Sequence, residues 1–331
     1  MASTLAAVSS SPIILEYAQG AAQDNVNPVA DFLAPTVAVS NPVGRFKKYD
    51  QKNRFKIPNT ERANTARAVE IGWTAGDATY NCRANSIDSP LDIMEIAAMG
   101  SINADEQGPI MEDAMKEAAL MVAEVGGLAH EKKVINSAVT ALTAAGGAQV
   151  LTPAWTKDTD IVDYIDGYIL ETLKAARYGS LIGIRVLFGA SIMRYFKNHP
   201  LVRNRYIVGG TNNRGPSIAP LAALDEDSIG SLFIGVPKLR VSYMVEDTAA
   251  EGLAPSINFL LDNSIIVFAA KDTPTRRDPS FMKTFRLAGK WMVPGSYLRD
   301  DQRVEVAKFD WSEDIQVTNS AAGFLITPTR S

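Results

Sequence analysis

The longest helical pattern in the sequence runs from residue 108 to residue 145, and it constrains the fold more than any other feature. Pro109 suits the first turn of a helix, where its missing N–H costs nothing. The pattern continues past Gly126 and Gly127 to residues 146–147, which predicts one helix of roughly 35 residues, about 50 Å long. A helix of this length predicts a strut that carries smaller parts. Its first half has one apolar stripe, formed by Ile110, Met111, Ala114, Met115, Ala118, Met121, Val122 and Val125.

The composition is that of a folded protein of one to three domains, since 46% of the 331 residues are hydrophobic and 21% are charged. A single cysteine, Cys82, excludes an internal disulfide framework and fits a reducing compartment. The first basic residue is Arg45, and the most apolar run contains Arg185. Neither an export signal nor a membrane-spanning segment is therefore expected.

Positive charge is concentrated in residues 45–67, although the net charge of the chain is −4. Eight basic residues against Asp50 and Glu61 give this segment a charge of 8 − 2 = +6, which leaves about −10 for the remainder. Such a segment can bind nucleic acid, bind the acidic body of another copy, or be a solvated hairpin. The basic residues are Arg45, Lys47, Lys48, Lys52, Arg54, Lys56, Arg62 and Arg67.

Two extended parts are predicted ahead of the long helix. Residues 1–44 contain four prolines and short apolar islands without a useful period, which indicates an arm that lies along another surface. Residues 45–85 then alternate between apolar and polar side chains, as at 54–57 and 78–84. This pattern predicts a long two-stranded excursion. Because a lone two-stranded ribbon is marginal in water, it is expected to rest on a neighbour.

The second half of the chain predicts mixed helix and sheet without an internal repeat. A helix is expected over 161–177, with Asp158 or Asp160 at its N-cap, followed by a buried strand at 183–188 and a short helix at 189–196. A glycine-rich surface loop spans 209–216. Further strands are predicted at 231–234, 239–245, 265–270, 304–309 and 315–317.

Catalytic and metal-binding motifs are incomplete throughout. His130 and Glu131 resemble the start of a zinc-protease helix, but Val134 stands where the second histidine is needed, so His130 is predicted on the helix surface. The aspartates at 158–166 lack the spacing of a calcium loop. Neither a complete phosphate loop nor a G-x-S-x-G elbow is present. The sequence therefore predicts no cofactor, no metal and no catalytic residue.

The order of the parts resembles that of a tailed-bacteriophage major capsid protein of the Hong Kong 97-like capsid fold. The order is a small-residue arm, a basic β excursion, a long helix and then an α/β domain. The stretches that carry the resemblance are 19–39, 54–58, 187–189, 193–200, 238–252 and 278–281 with Phe285. The resemblance covers nearly the whole chain and implies an α+β fold.

The resemblance implies four parts of one coat subunit. These are an N-terminal arm (1–44), an extended β-hairpin loop (45–85), a peripheral domain with a long spine helix (86–148 and 262–331), and an axial α/β domain (149–261). The eight basic residues of 45–67 would contact neighbouring subunits, and an axial loop with Gly209, Gly210, Arg214 and Gly215 would lie near the five-fold and six-fold axes.

The implied function is self-assembly, through pentamers and hexamers, into an icosahedral shell around a double-stranded DNA genome. The implied partners are other copies, a separate scaffolding protein, a portal, decoration proteins and DNA held by non-specific contact. The location would be the virion capsid, assembled in the host cytoplasm, without a membrane. No scaffolding domain is expected ahead of the arm, since the excursion begins near residue 45.

Two alternatives remain open at this stage. An encapsulin-like compartment is similar to the same fold but stores cargo proteins, and a soluble α/β enzyme or ligand-binding protein belongs to a different class. Covalent linkage between subunits, known in the family between a loop lysine and a peripheral asparagine, is not expected here. The reason is that Glu313 and Asp314, ahead of Asn319, are predicted in a solvated turn where a raised pKa is not expected.

Overall fold

The computed structural model describes residues 29–49, 60–61, 67, 75–92, 107–144, 149–176, 183–208, 226–250, 253–276, 278, 280–291, 293–299 and 304–330. Its helices are α1 (Val29–Leu33), α2 (Gln107–Ala144), α3 (Ile161–Ala176), α4 (Ala190–Asn198), α5 (Pro200–Val208) and α6 (Glu226–Gly230), with a 3-10 helix at Ser320–Ala322. Its strands are β1 (Thr36–Val39), β2 (Val43–Tyr49), β3 (Ala75–Asn81), β4 (Arg83–Asp92), β5 (Val150–Leu151), β6 (Ala154–Trp155), β7 (Ile184–Gly189), β8 (Lys238–Ser242), β9 (Val245–Asp247), β10 (Ile257–Phe259), β11 (Ile265–Ala269), β12 (Met282–Leu287), β13 (Val293–Leu298), β14 (Val304–Val317), β15 (Gly323–Ile326) and β16 (Thr329–Arg330). The predicted α+β fold is confirmed.

Helix α2, the spine helix, is a single helix of 38 residues that continues through Gly126 and Gly127, as predicted. Its C-terminal half enters the main core, where Val134 and Leu142 are fully buried. The predicted apolar stripe is wrong for part of the other half, because Met121 and Val125 are 56% and 48% exposed. Ala118 and Val122 of the predicted stripe are buried, together with Ala119 and Ala123, and these smaller side chains let strands β4 and β14 lie close to the helix.

One sheet is built around the long strand β14. The strand pairs with β4 along 304–313, and on its other edge it pairs with β13 and then with β12, which in turn pairs in parallel with β1. The sequence predicts two strands at 304–309 and 315–317, whereas the structure has one. The polar residues between them do not end the strand, since Trp311 and Glu313 are buried.

The second sheet has the strand order β5-β15-β11-β7-β8. Its central strands β7 and β11 are buried along their whole length, and α3 packs against β11. The predicted helix, strand and short helix over 161–196 are confirmed, and the Asp160 carboxylate caps α3 by accepting from the Asp163 N–H at 3.3 Å. Residues 262–331 contribute strands to both sheets, which are joined through the spine helix.

Two predicted strands differ from the structure in the region 231–247. Residues 231–234 form turns after α6, and the chain reverses through Gly235 (φ 74°) and Val236 (φ 47°) before β8 begins. The predicted strand 239–245 is interrupted, so that β8 stays in the second sheet while β9 pairs with β10 in a separate hairpin. The pattern of apolar and polar residues in the sequence does not reveal this interruption, because apolar residues continue across it.

The expectation that residues 1–44 lie on another surface is wrong for residues 29–39. Val29, Leu33 and Ala34 are at most 1% exposed and belong to the main core, and β1 extends the first sheet. Residues 1–28 lie outside the described ranges. Within the described residues, no helix is long and apolar enough to cross a membrane.

Candidate assembly surfaces

A buried polar network joins the spine helix to the first sheet. His130 Nδ1 lies 2.6 Å from Glu313 Oε2, and Lys133 Nζ lies 3.1 Å from Glu313 Oε1. Arg286 donates to His130 Nε2 at 2.9 Å. Because a guanidinium only donates, this ring nitrogen accepts, and the imidazole proton lies on Nδ1, facing Glu313.

Two predictions from the sequence are wrong at this network. His130 is 5% exposed and not on the helix surface, and Glu313 is 2% exposed within β14 and not in a solvated turn. Burial by itself would raise the pKa of Glu313. The hydrogen bond from His130 and the charge of Lys133 outweigh burial and lower that pKa to about 2. Glu313 is therefore an anion that fixes structure and is poorly suited to accept a proton.

Glu131 attaches α1 to the spine helix. Its carboxylate is 1% exposed and accepts from the Ala30 N–H at 2.9 Å, in the first turn of α1. Burial raises the pKa of Glu131 to about 7, against the lowering effect of this hydrogen bond. Asp31 of the same helix lies 3.2 Å from Arg286, so α1 is tied to the spine helix and to β12.

The base of the predicted excursion is an antiparallel pair, β2 with β3, that runs from Val43 opposite Asn81 to Tyr49 opposite Ala75. Aromatic packing holds this stem on the first sheet, since the Tyr80 and Phe285 rings stack at 4.7 Å. The Asn81 N–H also donates to Asp314 at 2.8 Å. Gly44 is required here, because a Cβ at this position would collide with the Tyr80 ring. The stem is therefore fixed in place.

The predicted contact residues are only partly described. Arg45, Lys47 and Lys48 lie in β2, where the Arg45 side chain is exposed, and Arg67 is exposed as well. The remaining predicted residues lie outside the described ranges, namely Lys52, Arg54, Lys56, Arg62, Gly209, Gly210, Arg214 and Gly215.

The β9–β10 hairpin presents a largely apolar face, which also carries Asp247, and the sequence analysis missed it. Val245 pairs with Phe259, and Ile257 lies two residues from Phe259 on the same face. These three side chains are 43%, 42% and 66% exposed. On the opposite face Glu246 forms an ion pair with Lys132 of the spine helix. A two-stranded ribbon with an unpacked apolar face fits a surface that another protein covers.

Sites for small ligands are poorly supported in the described residues. A charged cleft lies beside α1, but its buried Arg185 already donates to the Phe32 carbonyl at 2.6 Å and to Asp272 at 2.7 Å. Among the described residues, no group of three or more His, Cys, Asp or Glu side chains could hold a metal ion.

Comparison with solved structures gives matches over nearly the whole chain. A phage-related protein from Bordetella bronchiseptica superposes with a TM-score of 0.63 at 18% identity, covering 95% of this chain and 96% of that chain. The capsid structure of Cyanophage P-SCSP1u gives a TM-score of 0.52 at 8% identity, covering 90% and 87%. A virus-like particle from Pyrococcus furiosus gives 0.51 at 10% identity, covering 95% and 98%. No protein-family model and no curated protein matches the sequence.

Proposed function

We propose that this chain, which has the Hong Kong 97-like capsid fold, is a structural major capsid protein of a tailed bacteriophage. The observation that carries the proposal is the match of nearly the whole chain to the Cyanophage P-SCSP1u capsid structure. In this proposal the chain assembles through pentamers and hexamers into an icosahedral shell around double-stranded DNA. Its place is the virion capsid, with assembly in the host cytoplasm.

The exposed features of the subunit support self-assembly. The stem β2–β3 carries a basic segment on an otherwise acidic chain, and the β9–β10 hairpin exposes apolar side chains. Both suit contacts that a lone subunit does not satisfy. In a head-to-tail ring each copy gives one such surface and receives another, and many contacts act together to stabilise a closed shell.

The domain assignment that we propose for the subunit follows the family resemblance. We propose an arm over 1–44, an extended loop over 45–85, a peripheral domain over 86–148 and 262–331, and an axial domain over 149–261. The arm assignment keeps residues 29–44 as the fixed start of the arm, since 29–34 belong to the main core and 36–39 form strand β1 of the first sheet. The proposed partners are other copies, a separate scaffolding protein, a portal and decoration proteins.

Negative-stain electron microscopy of the purified protein tests this function. Icosahedral particles support it, and a stable monomer or dimer under all assembly conditions refutes it in favour of a soluble enzyme or binding protein. An encapsulin-like compartment has the same fold, and the likeness to the Pyrococcus furiosus particle keeps it as the second candidate. Particles from infected cells that hold protein cargo and no DNA would favour that candidate.

A further inference from the structure

A second concentration of positive charge lies far along the sequence from the extended loop. Three stretches, 154–160, 190–208 and 327–330, together contain six basic residues and two acidic ones, a charge of 6 − 2 = +4. Outside these stretches and 45–67, the chain carries −4 − 6 − 4 = −14. A local positive potential on so acidic a chain suits a polyanionic partner.

Contacts in the structure bring these three stretches together. Strand β16 pairs with β6, which places Arg330 beside Trp155. The Arg330 guanidinium lies 5.7 Å from the centre of the Tyr195 ring, and Tyr195 donates to the Trp155 carbonyl at 3.4 Å. The C-terminal ends of β6 and β16 and one side of α4 therefore lie together.

Helix α5 joins the same surface through His199. His199 Nε2 lies 2.9 Å from the Thr156 carbonyl, and the Arg203 N–H donates to the His199 carbonyl at 3.0 Å. Lys157 directly follows Thr156. We call Lys157, Arg194, Arg203 and Arg330 the basic surface, and all four side chains are exposed.

The charges of the basic surface are mostly not neutralised within the subunit. Among the described residues, Lys157, Arg194 and Arg203 have no carboxylate within ion-pair distance. Arg330 bonds to Asn263, whose side chain is neutral. By contrast, the nearby Arg205 is paired with Asp160 at 2.6 Å. Arginine, which supplies three of the four members, matches phosphate oxygens with paired N–H donors.

The absence of apolar exposure separates this surface from a protein–protein interface. No large hydrophobic side chain described within the three stretches is strongly exposed, whereas several are exposed between 234 and 259. The centre of a protein interface is usually apolar, while a DNA-binding surface is polar and positive. The hairpin region is therefore the better protein contact and the basic surface the better nucleic-acid contact.

We propose that the basic surface binds the phosphate backbone of double-stranded DNA without sequence specificity. This assignment rests on the proposed function, because a capsid protein meets packaged DNA on the inside of its shell. It places the DNA contact on α4, α5 and the ends of β6 and β16, and not on the basic extended loop. Contacts to phosphate position the polymer and carry no sequence information.

The test uses full-length unassembled protein and a random-sequence DNA duplex of about 30 base pairs, with binding followed by fluorescence anisotropy between about 50 and 200 mM salt. The variant is Lys157→Gln with Arg194→Gln and Arg203→Gln. The matched control removes three exposed cations elsewhere, by Arg83→Gln, Lys271→Gln and Arg299→Gln. Each phosphate contact contributes about 0.9 to the slope of log affinity against log salt, so the variant should lower this slope by about 2 to 3.

We expect the variant to weaken binding at least about tenfold at low salt, and the control to change it by about twofold or less. Equal binding by wild type, variant and control overturns the proposal. A variant that binds DNA normally but no longer forms particles would show that an acidic face of another copy covers this surface, which also overturns it. Because DNA binding is measured on subunits and shell formation by microscopy, a failure of the proposed capsid function is recognised separately.

Discussion

The imidazole of His130 lies 2.6 Å from the carboxylate of Glu313, and this pair joins the middle of the spine helix to the longest strand of the first sheet. Both side chains are buried, and Lys133 and Arg286 complete the network around them. A buried network of this kind contributes more through the penalty for breaking it than through its net attraction. It ties the spine helix to strands β12 and β14.

We predict that Glu313→Gln destabilises the subunit by about 3 kcal/mol, because it removes the buried anion beside His130 and leaves the charge of the buried Arg286 less compensated. Urea unfolding of the unassembled protein, followed by circular dichroism, gives the free energy of unfolding. Glu171→Gln is the matched control, since Glu171 forms an exposed pair with Lys174 and should change stability by less than about 0.5 kcal/mol. Equal midpoints for the two variants would contradict a structural role for the network.

The second prediction concerns pH. The pKa of Glu131 is raised from 4.5 to about 7, so between these values the folded state holds a proton that the unfolded state has lost. Stability is therefore lost as pH rises through this window, by about 3 kcal/mol in total. Glu313 has the opposite effect, and it acts at lower pH. Because its pKa is lowered to about 2, the stability that it contributes is lost only as pH falls below about 4.5.

Unfolding free energies at pH 5 and pH 8 test this prediction against the variant Glu131→Gln. The amide keeps the size of the side chain and an oxygen that accepts from the Ala30 N–H, but it does not ionise. We expect wild type to be less stable at pH 8 than at pH 5, and the variant to show little of this difference. Parallel pH profiles for both proteins would show that Glu131 does not titrate in this range.

The third prediction separates the arm from its fixed start. Removal of residues 1–28 should leave the cooperative unfolding transition intact, whereas removal of residues 1–40 should abolish it. The longer deletion takes away α1 and β1, including Val29, Leu33 and Val39, which are at most 1% exposed. Each lost core side chain of this size contributes about 2 to 5 kcal/mol. If the protein without residues 1–40 still unfolds cooperatively with near-native stability, α1 is not part of the core.

Local patterns were predictable from the sequence, and contacts between distant segments were not. The spine helix and α3 follow from residues three and four apart, and Asp160 caps α3 as expected. The helical pattern around His130 does not predict its burial, because its partners Glu313 and Arg286 lie in strands that are distant in the sequence. Isolated polar residues in a helical pattern look solvent-facing until the opposite surface is known.

The apolar stripe was wrong at Met121 and Val125 for a related reason, whereas Ala118 and Val122 are buried as predicted. Met121 and Val125 have the helical spacing of core residues, but the sheet packs on the spine helix over Ala119, Val122 and Ala123. A stripe chosen by hydrophobicity favours large side chains, whereas close packing here favours small ones. The apolar hairpin face was missed because strands β9 and β10 have three residues each, too few for a clear alternation.

The fourth prediction concerns the basic extended loop. Arg54→Glu with Lys56→Glu should block shell assembly and leave the subunit folded, because like charges then meet across the contact with an acidic neighbour. Lys271→Glu with Lys290→Glu is the control, since it reverses two exposed cations on the body. Sedimentation velocity measures assembly and circular dichroism measures folding. Normal particles from the loop variant would exclude an electrostatic role for these two residues.

The last prediction concerns the apolar face of the β9–β10 hairpin. We expect Ile257→Ser with Phe259→Ser to prevent assembly, because the pair loses apolar area that a neighbouring copy would bury, at about 25 cal/mol per Å². The subunit itself should keep its stability, since these side chains are 66% and 42% exposed. Leu170→Ser, at a residue 37% exposed on α3, is the matched control. Particle yield by electron microscopy is the measurement, with urea unfolding of the subunit alongside it. A hairpin variant that assembles as well as the control shows that this face stays open in the shell, and a variant that loses subunit stability shows that the hairpin serves the fold instead.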